Sequence, residues 1–89
     1  MEFEFDPAKS AANKLKHGID FNQATALWDD PGIIEIPMAL DDEPRFLVVG
    51  RLGEKHWSAV ITYRGERIRL TSVRRSREKE IEGYESARI

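Results

Sequence analysis

A chain of 89 residues with 40% hydrophobic and 34% charged side chains is long enough for one buried core and too short for two, and its composition is neither disordered nor fibrous. It has no cysteine, which removes disulfide scaffolds, thiolate metal sites and cysteine nucleophiles together. The net charge of −2 hides a segregation: residues 1–44 carry three Lys against ten Asp and Glu, whereas residues 45–79 carry ten Lys and Arg against three Glu. Beyond about 10 Å other charges are largely screened, so the central segment presents a polyanion with a local field that the overall balance conceals. No apolar run approaches the roughly 20 residues that span a bilayer, and the opening MEFEFD lacks the basic and apolar regions of a signal peptide. A single domain over residues 1–89, cytoplasmic and without a membrane partner, is the expectation.

In chain order, Glu2–Phe5 alternates polar and apolar residues and predicts a short edge strand. Asp6-Pro7 supplies an N-cap and a first-turn proline for a helix through AKSAANKLKH, ended by Gly18 as a left-handed residue. Helical spacing assigns Ala8, Ala11, Ala12 and Leu15 to its buried stripe. Asp20 with Gln23 three residues later is a capping-box pattern, opening a second helix whose Phe21, Ala24, Leu27 and Trp28 repeat up to Asp29-Asp30-Pro31-Gly32. Ile33–Ile36 predicts a strand, Pro37–Pro44 a connecting loop, Arg45–Leu52 a strand, and Gly53-Glu54-Lys55 a turn.

From Trp57 to Ser76 two β-branched runs flank Arg64-Gly65-Glu66-Arg67, which is a β-hairpin signal. Strand alternation turns Ile68 and Leu70 inward and Arg67, Arg69 and Thr71 outward, giving a core face and a cationic face. Ser76 then reads as the N-cap of a last helix with Ile81, Tyr84 and Ala87 facing inward. The fold class is α+β, in the order β-α-α-β-β-β-β-α, with helices packed on a small, mostly antiparallel sheet.

Several chemistries are missing: there is no phosphate-cradling glycine loop, no close histidine pair and no nucleophile elbow. His17 and His56 are separated by 38 residues, so no all-protein zinc site and no cofactor are expected, and Asp41-Asp42-Glu43 reads as a solvated loop cluster. Histidine, lysine, tyrosine and arginine remain. They suit attack of an RNA 2′-hydroxyl on its own phosphodiester, in which one group takes a proton, another returns one, and arginines stabilise the crowded phosphate. Two roles stay open for His17, helix-dipole partner or proton carrier. His56 reads as a solvated residue at a strand entrance, Tyr84 as a core residue whose hydroxyl reaches the surface, and Trp28 and Trp57 as core residues. The same arginines also suit a non-catalytic RNA- or ribosome-binding module, or a protein complex in which they meet carboxylates.

Phe5-Asp6-Pro7-x-Lys9 with Asn13, Lys16-His17-Gly18-Ile19-x-Phe21, Arg45-Phe46, Gly50-Arg51, Arg64, Ile68-Arg69, Ser72-x-Arg74-Arg75, and Glu80 with Tyr84-Glu85 resemble the BrnT family of type II toxins over nearly the whole chain. The resemblance implies a RelE-like fold and a ribonuclease that cuts messenger RNA to arrest growth. It also implies a BrnA antitoxin that neutralises the toxin in a hetero-oligomer and carries the DNA-binding part. Within that reading Lys16, His17, Arg64, Arg74, Arg75 and Tyr84 are the expected catalytic set, and Lys14, Arg67, Arg69 and Arg77 the expected RNA-binding set. The partner is expected to set carboxylates against Arg64, Arg74 or Arg75.

Overall fold

The computed structural model describes residues 1–38 and 42–87; Asp41 of the acidic triplet lies outside them. The elements are β1 (Glu2–Glu4), α1 (Pro7–His17), α2 (Phe21–Ala24) continued by a 3₁₀ turn (Thr25–Asp29), β2 (Ile34–Met38), β3 (Arg45–Leu52), β4 (Lys55–Arg64), β5 (Arg67–Arg75) and α3 (Glu78–Ser86). This is the expected α+β order. The sheet runs β1-β5-β4-β3-β2, with β1 parallel to β5 and every other pair antiparallel.

Local chemistry accounts for most boundaries. The Asp6 carboxylate accepts from the Ala8 N–H at 2.8 Å, Pro7 starts α1, and Gly18 at φ 83° ends it; only a residue without a Cβ adopts that conformation without strain. The capping box closes in both directions, Gln23 N–H to Asp20 Oδ1 at 2.7 Å and Asp20 N–H to Gln23 Oε1 at 2.9 Å. β2 reaches further than the expected Ile33–Ile36, running through Pro37 to Met38. A proline is tolerated there because β2 is an edge strand with one side unpaired. Lys55 belongs to β4 rather than to the turn.

Two expectations about helix faces are corrected. In α1, Ala8, Ala11 and Ala12 are exposed and Leu15 is 90% exposed, while the buried residues are Ser10 and Asn13. β1 pairs with only Arg67–Arg69 of β5, so the rest of that β5 edge needs other partners for its backbone. Asn13 supplies them: its amide donates to the Val73 carbonyl at 2.9 Å and to the Ile19 carbonyl at 2.8 Å, and its oxygen accepts from the Val73 N–H at 3.2 Å. The side chain thereby stands in for a missing strand, and Ser10 accepts from the Phe21 N–H at 2.9 Å beside it. In α3 the N-cap is Arg77, not Ser76, because the Ser76 hydroxyl bonds Ser58 at 2.7 Å and the Glu80 carboxylate takes the Arg77 N–H at 2.9 Å. Tyr84 is buried and Ile81 half-buried, but Ala87 is exposed.

The register of the central hairpin shifts once. Val60 pairs with Ser72 and Ile61 with Leu70, leaving Thr71 as the extra residue of a bulge, its hydroxyl on the Val60 carbonyl at 3.1 Å. A bulge reverses the alternation beyond it. Ile68, Leu70 and Val73 therefore reach one face, where they pack with Phe21, Ala24 and Leu27. Arg67, Arg69 and Arg74 share the other. That second face is not uniformly open, as expected from the hairpin alone, because α3 crosses one end of it: Glu80 bonds Ser58 at 2.8 Å, and Gly83 lies 3.8 Å from the Ile34 side chain as measured from an added Cβ.

Candidate functional site

At the end of the sheet where β3 turns into β4 and β5 leads to α3, four side chains are held together. His56 stands opposite Arg51 across the β3–β4 ladder. It is not the solvated residue expected: its side chain is 16% exposed and Nε2 lies 3.0 Å from Glu85 Oε2. A carboxylate only accepts, so Nε2 carries the proton of the neutral ring and Nδ1 is left as the acceptor. Tyr84 meets the His56 ring edge-on, centroids 5.2 Å apart at 83°. Its hydroxyl does not reach the surface as expected; it donates inward to Asp30 Oδ2 at 2.7 Å, which also accepts the Arg51 N–H at 2.9 Å. Tyr84 thus supports the histidine. A cleft of about 470 Å³ opens on the Tyr84 side, with Tyr84, Asp29, Pro31, Arg51 and Gly53 on its walls.

Arg74 is engaged within the fold. Its guanidinium forks onto Glu80 with bonds of 2.9 and 2.8 Å and also reaches the Arg75 carbonyl at 3.2 Å. That fork, with the Arg77 N–H and the Ser58 hydroxyl, holds the Glu80 carboxyl down at about 2 against the opposing effect of burial, and Glu80 in turn raises Arg74. The pair is a lock between β5 and α3. Arg75 lies on the opposite face with its guanidinium 5.5 Å from the Trp57 ring centroid, and Arg77 is exposed at the start of α3. Neither is in an ion pair among the described residues.

The Asn13–Val73 bonds lay α1 alongside the second half of β5, and both run away from β1 in the same direction. The last turn of α1, with Lys14, Lys16 and His17, is therefore directed toward the Arg75 end of the sheet. Lys14 bonds Gln23 Oε1 at 2.9 Å, and His17 is half-buried at the helix terminus.

Arg64, Arg67 and Arg69 are elsewhere. The ladder from Trp57↔Arg75 to Arg64↔Arg67 separates Arg64 from Arg75 by roughly 23 Å at the usual rise along a strand. All three meet carboxylates: Arg64 with Glu43 at 3.1 Å, Arg67 with Glu2 at 3.3 Å, and Arg69 with Glu4 at 2.9 Å. The cationic face expected from the hairpin is substantially neutralised by the acidic N-terminal segment laid against it.

The candidates thus divide. Arg74, Arg75, Arg77 and Tyr84 are brought to one end of the sheet, Arg64 and Arg67 lie at the other, and Lys14, Lys16 and His17 stand on the last turn of α1. His56, Glu85 and Ser58 join the first group, and sequence reasoning did not place them there. The motif Tyr84-Glu85 pointed to the neighbourhood, but nothing local couples it to a histidine 29 residues away. Among the described residues no three His, Asp or Glu side chains are grouped to hold a metal ion. Residues 5–80 match a family model described as the ribonuclease toxin, BrnT, of type II toxin-antitoxin system, a span that includes both histidines and ends before Tyr84 and Glu85. No curated protein matches the chain.

Proposed function

The chain belongs to the BrnT family of ribonuclease toxins of type II toxin-antitoxin systems, and from that premise we propose that it is an endoribonuclease that cuts RNA by 2′-hydroxyl attack without a metal. It halts translation until a BrnA-like antitoxin binds it. One observation carries the reading: His56, oriented by Glu85 at 3.0 Å, stands where β5 passes into α3, its carbonyl on the Ser76 N–H at 3.0 Å and the exposed Arg77 one residue on.

In this mechanism His56 Nδ1 takes the proton of the ribose 2′-hydroxyl, and the oxygen attacks the adjacent phosphorus. Glu85 stabilises the imidazolium that forms. Arg77, one residue past the Ser76 N–H that bonds the His56 carbonyl at 3.0 Å, stabilises the extra negative charge of the crowded phosphate, and Arg75 on the other face of the same strand end holds the flanking RNA. The bond from phosphorus to the 5′-oxygen breaks, and that oxygen takes a proton from Lys16 or His17. The products are a 2′,3′-cyclic phosphate and a 5′-hydroxyl, and every proton and electron pair is accounted for without a Lewis acid.

Incubating the purified protein with RNA in EDTA tests this. Fragments ending in 2′,3′-cyclic phosphate are expected, and 2′-O-methylated RNA should survive. His56→Ala should lower the cleavage rate by about 10² or more with RNA affinity nearly unchanged, and Glu85→Gln should lower it less. His17→Ala should slow cleavage only if His17 is the acid, with thermal melts confirming the fold. RNA that stays intact at high enzyme concentration, free and ribosome-bound alike, would return the chain to the binding-module reading.

A further inference from the structure

The strand register sorts the face that α3 crosses into rows. The first row is Ile34, Val49, Ser58 and Arg74; the second is Ile36, Leu47, Val60 and Ser72; the third begins with Met38 opposite Arg45 and ends with Thr62 opposite Arg69. Helix α3 lies over the first row, through Glu80 on Ser58 and Arg74 and through Gly83 against Ile34. Over the second and third rows no described helix lies, though Thr62 in the third is 2% exposed with its hydroxyl on the Pro44 carbonyl at 2.9 Å, so that row is open at Met38, Arg45 and Arg69 only. Ile36 and Met38 are 38% and 37% exposed, and Leu47, Val60 and Ser72 are half-buried.

We propose that the second and third rows are the seat of an amphipathic helix of the antitoxin, an apolar stripe on Ile36, Leu47 and Val60 flanked by carboxylates that meet Arg45 and Arg69. The proposal rests on the toxin reading above and deepens it by placing the partner. Packed helices lie roughly 8–10 Å apart, and successive rows are about 7 Å apart, so one helix fits beside α3 over these rows. Charge favours an acidic partner: Arg45 is exposed and in no ion pair among the described residues, and Arg69 keeps only Glu4. Arg64 and Arg74, expected to meet the partner, are already held by Glu43 and Glu80. Addition of a strand to β2 is disfavoured because Pro37 removes a donor from that edge. RNA is a poorer occupant, since its phosphates would be desolvated against four aliphatic side chains without reaching a continuous cationic track.

The chain has two methionines, and they form an internal control, because Met1 is 83% exposed and precedes β1, at the opposite edge of the sheet from Met38 on β2. The protein is co-expressed with the product of the adjacent reading frame, purified as the complex, treated with peroxide and read by mass spectrometry. Met38 oxidation should slow by about tenfold or more in the complex while Met1 reacts as in the free chain. Arg45→Glu and Val60→Glu should each weaken the complex by about tenfold or more, and the free variants should still cut RNA. Arg45→Glu alters an exposed side chain, so it tests the surface even if Val60→Glu fails to fold. A complex that blocks cleavage while Met38 reacts as in the free chain overturns the docking face and leaves the toxin reading standing. Failure of the adjacent product to bind or to block cleavage overturns both. Protection of Met38 by 2′-O-methylated RNA alone, or by raising the concentration of the free chain, would assign the rows to nucleic acid or to a second copy and overturn the proposal.

Discussion

Four hydrogen bonds converge on the Glu80 carboxylate, two from Arg74 and one each from the Ser58 hydroxyl and the Arg77 N–H. Together they hold its folded pKa at about 2 against an ordinary 4.5. The folded value is the lower one, so the ionised form stabilises the fold. That contribution is complete above the ordinary value and is lost as pH falls from about 4.5 toward 2. Its size is on the order of 3 kcal/mol. Glu80→Gln should therefore cost about 2–3 kcal/mol at pH 7, and the gap from the parent should shrink below about pH 4.5 and close only below about pH 2. Denaturant unfolding at stepped pH measures this; a gap of constant size would mean that the lock is not ionic. Arg74→Ala should cost more, about 3–5 kcal/mol, because it leaves the carboxylate buried without its counter-charge. Much of any activity lost in that variant would come from an unfastened α3.

At the scale of elements, α1 is governed by what the β5 edge lacks. Its inward residues are polar because the backbone of Val73 has no strand beside it, and one amide meets both of its groups. Asn13→Ala leaves the Val73 N–H and two carbonyls without partners and should cost about 3 kcal/mol. Leu15→Lys, on the exposed side of the same helix, should change stability by no more than about 0.5 kcal/mol. Paired thermal melts of the two variants check the assignment of faces, and equal losses would reverse it. The bulge at Thr71 works in the same way on β5, admitting Val73 to the core that Ile68 and Leu70 already face. The nine-residue α3 is too short to persist alone. Tyr84 on Asp30, Glu80 on Arg74 and Glu85 on His56 hold it down, so the helix that completes the candidate site is also the one most dependent on tertiary bonds.

Across the whole molecule, the acidic N-terminal segment folds onto the basic hairpin, and the sheet becomes electrically asymmetric. Its hairpin-turn end is neutralised by Glu2, Glu4 and Glu43, while Arg75 and Arg77 at the far end keep open charge. Arg75→Ala and Arg77→Ala should each lower RNA affinity and flatten the salt dependence by about one released counterion, whereas Arg64→Ala and Arg67→Ala should change both little. Binding titrations over a salt series decide this, and a large effect at Arg64 would move the RNA path to the hairpin turn. Much of the architecture could be read along the chain because its causes act within a few residues: Asp6-Pro7 and Gly18 bound α1, Asp20 and Gln23 cap each other, and Gly65 turns the hairpin. The family resemblance rested on motifs of the same local kind. Pairings between distant residues could not be read that way. Glu4 meets Arg69 across 65 residues, Asn13 meets Val73 across 60, and His56 meets Glu85 across 29. By itself, then, the sequence determined the order of the elements and the supply of cationic and proton-carrying groups. The tertiary structure alone decided which arginines stay open and which histidine is oriented, because a charge's availability depends on the carboxylates that the topology brings beside it.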